Sequence, residues 1–148
     1  MPSTFLCLHY HAVFSTKNRE PSLQKEWRPR VHEYLGGIVN GLGARSGMVG
    51  GAADHVHILF ELKATHCLAD FMREVKKASS MWIHNEMKVG TFAWQEGYAT
   101  FTAAASGLER IRRYIENQEE HHRHRTFRDE LKIMLKRSGV KFEDRYLD

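Results

Sequence analysis

The sequence predicts an α+β fold, and three observations carry that prediction. Two runs alternate apolar and polar residues, "FLCLHYHAVFS" at 5–15 and "DHVHILFEL" at 54–62. Two long stretches keep helical spacing, and two shorter β-rich runs complete the set. In chain order these read β-α-β-β-α-β with two C-terminal helices after them. That is the split β-α-β, ferredoxin-like (RRM-like) pattern, an antiparallel sheet with helices on one face. At 148 residues, one domain over 1–148 has length enough for a proper core.

Each element has its own justification. In the first strand Leu6, Leu8, Tyr10, Ala12 and Phe14 share one face, while Cys7, His9, His11 and Val13 share the other. "NREPSL" reads as a turn. The stretch "QKEWRPRVHEYLGGIVNGLG" reads as a helix closing in glycines, with Pro29 its weak point. "ARSGMVGGAA" is a short strand with a glycine-rich turn. In the third strand Val56, Ile58, Phe60 and Leu62 point one way, and His55, His57 and Leu59 the other. From Leu68 to Met87, Leu68, Phe71, Met72, Val75 and Trp82 form an apolar stripe opposite Arg73, Lys76, Lys77 and Ser80. "GYATFTAA" is the fourth strand. Ser106 opens a helix with Glu109 placed for a capping box, and a last helix from Phe127 to Arg137 ends at Gly139. In this topology the first and third strands are central neighbours. His9, His11, His55 and His57 then share the uncovered face of the sheet.

Composition narrows the class. The 22 basic against 18 acidic residues give +4, a mild lean toward polyanions. Ten histidines are the stronger oddity, because imidazole is the commonest metal ligand and a proton shuttle near neutrality. Cys7 and Cys67 match no metal spacing or disulfide framework and read as buried free thiols in a reducing compartment. No apolar run reaches transmembrane length, and the first residues have neither a basic n-region nor a cleavable h-region, so a cytoplasmic protein is expected. There is no G-x-x-x-x-G-K-[ST], G-x-G-x-x-G or G-x-S-x-G motif, which speaks against a nucleotide cofactor or a serine hydrolase.

Two constellations carry chemistry. In His55-Val56-His57 the imidazoles project from one face about 7 Å apart at Cα, given a strand rise of about 3.3 Å per residue. They can converge on one cation, or stand as a half-exposed pair. The second pair, His9-Tyr10-His11, places His11 as a partner behind such a site. In "RRYIENQEEHH", Tyr114 and Gln118 lie four apart, at the edge of an apolar stripe through Leu108, Ile111 and Ile115. There they either look into a crevice or simply pack. His121, His122 and His124 read as a solvated face, His32 and His84 as helix surface, and His66 as a loop or cap residue.

The set resembles the single-tyrosine HUH transposases, the TnpA-type enzymes of small insertion sequences and their repeat-associated relatives. The likeness rests on His55-Val56-His57, on the downstream Tyr114 and Gln118 as Y-x-x-x-Q, and on "YHAVFSTKNR", "VKKASS", "WQEGY" and "RRYIENQEEH" in family order. It runs from Tyr10 to about His122, while the helix from Thr126 onward is less diagnostic.

The resemblance implies His55, His57 and Gln118 as metal ligands, Mg²⁺ or Mn²⁺ as the ion, and Tyr114 as nucleophile. It implies cleavage and rejoining of single-stranded DNA beside hairpins through a 5′-phosphotyrosine. It also implies a homodimer with composite active sites, for which residues 105–107 would be the hinge. An accessible phosphate suits single strands, and Lys17, Arg19, Lys76, Lys77, Arg112 and Arg113 are candidates for contacting it. Two rivals stay open: a non-catalytic single-stranded nucleic-acid-binding module on the same fold, and a metallohydrolase that uses water. The first calls for aromatic platforms on the open sheet face.

Overall fold

A computed structural model describes residues 3–122 and 125–147. Along the chain run β1 (His9–Ser15), α1 (Arg28–Gly41), β2 (Arg45–Gly51), β3 (His55–Glu61), α2 (Leu68–Glu86), β4 (Ala99–Ala103), α3 (Leu108–Glu116), α4 (Gln118–His121) and α5 (Phe127–Arg137). The strands form one antiparallel sheet in the order β2-β3-β1-β4, as the ferredoxin-like pattern requires. β1 and β3 are central, with Val13 opposite His57 and Ser15 opposite His55.

The two sets of alternating residues build two cores. Ala12, Phe14, Val56, Ile58 and Phe60 lie on one face, buried with Val31, Leu35 and Val39 of α1 and Phe71, Met72 and Val75 of α2. Pro29 is no obstacle, because it stands in the first turn of α1, where its missing N–H has no intrahelical partner to lose. On the other face Val13 packs with Phe127, Leu131 and Leu135 of α5 and with Leu147.

That second core corrects the expectation of an uncovered face. α5 and α3 close over it, and His55 and His57 are 0% exposed. At the β2 edge α3 approaches so closely that a Cβ on Gly50 would lie 2.5 Å from the Ile115 carbonyl oxygen. Only a residue without a side chain fits there.

Other expectations also shift. β1 begins at His9, not Phe5, because its partners β3 and β4 end at Glu61 and Ala103, opposite His9. Phe5 is accordingly 91% exposed. Ser106 caps nothing: it lies inside a 3-10 turn at 105–107, and α3 starts at Leu108 without a side-chain cap. Glu109 instead faces Arg112 and Arg113, at 3.5 and 3.7 Å. α5 is capped by Thr126, whose side chain accepts from the Asp129 N–H at 3.2 Å, and Gly139 follows it with φ +70°.

Cys7 and Cys67 are exposed rather than buried. His84 and His32 are not merely surface residues. His84 Nε2 lies 2.6 Å from the Phe92 carbonyl, and His32 Nε2 is buried without a hydrogen-bond partner. His66 sits in the loop before α2, 2.8 Å from the Leu42 carbonyl. Among the described residues no helix is long and apolar enough to cross a membrane.

Candidate active site

Alternation places His55 and His57 side by side on β3, and the register with β1 sets His11 beside them. His57 Nδ1 is 2.7 Å from His11 Nε2, and His55 Nδ1 is 2.8 Å from the Asp54 carboxylate. Each ring is thus fixed through one nitrogen, which turns its Nε2 toward the space under α3–α5. There His55 Nε2 stands 2.9 Å from Gln118 Oε1. His57 Nε2 stands 2.8 Å from Glu130 Oε1. His122 Nε2 lies 2.9 Å from the other oxygen, Glu130 Oε2.

Tyr114 reaches the same place. Its ring centroid is 5.7 Å from that of His57 and 6.4 Å from that of His11. After burial, Glu130 and Gln118 are neighbouring side chains that act on its phenol pKa, Glu130 pushing it up and Gln118 drawing it down. Gln118 is tied to the tyrosine's own turn, its Nε2 donating to the Tyr114 carbonyl at 3.3 Å. The helix is interrupted at Asn117 between them, yet both side chains stay on the site side. The sequence-predicted quartet of His55, His57, Tyr114 and Gln118 therefore meets within one chain.

Electrostatics follow from burial. Burial, with the neighbouring His57, lowers the His11 imidazole to about 3; burial lowers His57 to about 4 against the pull of Glu130. Burial alone would raise Glu130, but hydrogen bonds from His122 and His57 outweigh it and hold the carboxyl well below its usual range. Burial and then the Glu130 charge push the Tyr114 phenol up.

The donor chemistry fits a cation. If His55 Nδ1–H donates to Asp54, its Nε2 lone pair faces an amide oxygen, another acceptor, at 2.9 Å. Two lone pairs at that distance repel unless a proton or metal ion lies between them. His55, His122 and Glu130 also offer ligand atoms all within 4.8 Å of one another.

Sequence reasoning missed Glu130 and misjudged His122. His122 is not part of a solvated face: its side chain is 11% exposed, against 2% for the Glu130 it contacts. His121 is exposed, its ring 4.7 Å from Tyr114, and His124 lies outside the described residues. The signal for Glu130 was present: it occupies the Phe127–Leu131–Leu135 side of α5, a lone carboxylate on an apolar stripe.

The basic candidates divide. Lys17 and Lys77 are exposed. Arg19 borders a cavity of about 780 Å³ shared with Arg28, Asp54, His122 and Arg125. Arg112 and Arg113 face Glu109. Lys76 is a correction, because its ammonium donates to the carbonyls of Gln95, Glu96 and Gly97 at 2.6, 3.0 and 2.7 Å. All three donors are engaged, so Lys76 holds the "WQEG" loop and offers no proton to a phosphate. Trp94 Nε1 donates to Ser79 at 2.9 Å and braces the same loop.

A histidine–hydrophobe–histidine strand facing a helix that bears tyrosine and glutamine defines the HUH class. The family model described as "Transposase IS200 like" matches residues 4–118. The chain is 27% identical over 123 residues to the ISDra2 transposase TnpA of Deinococcus radiodurans, covering 76% of this chain and 85% of that protein. Its fold resembles a crystal structure of a candidate transposase from D. radiodurans R1, with TM-score 0.62, 24% identity, and coverage of 80% and 96% of the two chains. It also resembles a REP-associated tyrosine transposase bound to a REP hairpin, with TM-score 0.58, 12% identity, and coverage of 82% and 74%. The chain belongs to the IS200-like family of single-tyrosine HUH transposases.

Proposed function

We propose that this transposase cleaves and rejoins single-stranded DNA at hairpin-adjacent sites, with Tyr114 as the nucleophile. His55, His57 and Gln118 hold the divalent ion, Mg²⁺ or Mn²⁺. The supporting observation is the meeting of the Tyr114 phenol with the two imidazoles and Gln118 inside one chain. The ion supplies Lewis acidity to a scissile phosphate oxygen and a positive field beside the phenol. The protein holds the imidazoles neutral for ligation, through burial at His57 and His11, and seats the phenol where attack on phosphorus is in reach. The phenol loses its proton and its oxygen bonds to phosphorus. The P–O3′ bond breaks, and the leaving oxygen takes up a proton as a free 3′-hydroxyl. A 5′-phosphotyrosine remains, and the reverse attack by another 3′-hydroxyl rejoins DNA.

The place of Tyr114 beside the imidazoles of its own chain supports a first cleavage in cis. A homodimer that trades tyrosine helices through residues 105–107 would act at the rejoining stage. The binding-module reading loses ground because α3 and α5 cover the sheet face it needs, and Phe101 packs into the core there. Incubation with hairpin-bearing single-stranded DNA and Mn²⁺, followed by a denaturing gel, tests the assignment. A metal-dependent shifted band should form with the native protein and vanish with Tyr114→Phe. Cleavage that survives Tyr114→Phe would instead favour a water-using metallohydrolase.

A further inference from the structure

We infer that Glu130, delivered by α5, is a fourth protein ligand of the metal site, joining His55, His57 and Gln118. The inference rests on the reading that the two imidazoles hold a divalent cation. Its observation is a row of facing ligand atoms: His57 Nε2 to Glu130 Oε1 at 2.8 Å, Glu130 Oε1 to His55 Nε2 at 3.9 Å, and His55 Nε2 to Gln118 Oε1 at 2.9 Å. Around an octahedral ion with bonds of about 2.1 Å, adjacent ligand atoms stand about 3 Å apart and opposite ones about 4.2 Å. These three separations lie close to those two spacings. His122, 2.9 Å from Oε2, holds the far side of the carboxylate and leaves Oε1 facing the imidazoles.

Nothing about α5 as a packing helix calls for a carboxylate here. Glu130 is 2% exposed, beside Leu131 in the second core, and an anion so deep is stable only with partners. The Oε1–Nε2 edge to His57 accommodates a proton or a cation, not both, so an ion there needs the single proton of the neutral ring on Nδ1, where His11 Nε2 can accept it. A donor set of two imidazoles, an amide oxygen and a carboxylate suits Mn²⁺ better than Mg²⁺, which prefers oxygen ligands throughout. Two positions remain for phosphate and water.

Mn²⁺ binding, read from the free-ion electron paramagnetic resonance signal, tests this without DNA. Glu130→Gln, checked for folding by circular dichroism, should bind Mn²⁺ at least tenfold more weakly than the native protein. His57→Ala should bind it more weakly still. Unchanged or tighter binding by Glu130→Gln, with binding lost in His57→Ala, overturns the role of Glu130 and leaves the proposed function standing. Native affinity in His57→Ala overturns both. Should Glu130→Gln not fold, hydrogen exchange over 127–137 in the unaltered protein decides. Exchange there slows on Mn²⁺ addition if α5 contributes a ligand. It speeds up if the ion displaces Glu130 from His57, which sinks the inference.

Discussion

His11 belongs to no donor set, yet its Nε2 meets His57 Nδ1 at 2.7 Å and so decides which His57 nitrogen carries the proton. Partners of this kind orient a ligand and raise its basicity, and their loss costs about 10–100-fold in metal affinity. His11→Phe should weaken Mn²⁺ binding by about that factor while the protein stays folded, as measured by calorimetric titration; native affinity would remove the role. Lys76 and Lys77 are neighbours in sequence with different work. Lys76→Met leaves three carbonyls without their donor and should lower stability by about 1–3 kcal/mol, read from denaturant midpoints. Lys77→Met should leave stability unchanged and reduce the salt dependence of DNA binding by about one phosphate contact. Spacing alone could not separate the two, since both lie on the polar side of the helix. Which one meets the "WQEG" loop depends on a contact some twenty residues away.

Among the elements, strands and helices with a clear period were legible, because one buried face imposes that period. β3 and α5 begin and end within one or two residues of the pattern. The first strand was overextended, since alternation says which residues could pair and not where the partner stops. The C-terminal helices showed a similar limit: their stripes announced docking without naming the surface. That surface is the histidine face of the sheet, and its contact with α3 rests on Gly50. Gly50→Ala would set a methyl carbon 2.5 Å from the Ile115 carbonyl oxygen, in the helix turn that joins Tyr114 to Gln118. The helix must move away, at about 1–3 kcal/mol. DNA cleavage should then fall much more than DNA affinity, since Tyr114 and Gln118 shift together while Lys17 and Lys77, which lie off α3, stay in place. Equal losses in both would show that α3 does not seat the site.

Over the whole molecule, the imidazoles and carboxyls whose affinity for protons changes on folding push stability in one direction with pH on the acid side of neutrality, while the raised Tyr114 phenol acts only at alkaline pH. Burial lowers His11 to about 3, and lowers His32 to about 4 with help from the Arg28 charge; His57 falls to about 4. Below pH 6.5 the unfolded chain protonates these imidazoles and the folded one does not, so stability rises with pH across roughly 4 to 6.5 and is level above. Asp54 and Glu130 are lowered too, despite burial, by hydrogen bonds from His55 and from His122 and His57. Their contribution is present above the ordinary carboxyl range and disappears as pH falls through it, reinforcing the same trend. Bound metal adds to this linkage. An ion at 100 times its dissociation constant stabilises the native state by about 2.7 kcal/mol, provided the unfolded chain does not bind it. Since ligation needs neutral imidazoles, the added protons compete with the ion as pH falls. Thermal melts with and without Mn²⁺ should therefore stay separated from pH 7.5 down to about 4 and converge only below it, where the folded His57 takes up its proton, while the metal-free Tm already declines below pH 6.5. A Mn²⁺ increment that persisted undiminished well below pH 4 would place the ion on carboxylates away from the histidine strand, since no site that uses His57 as a ligand can hold it once that ring is charged.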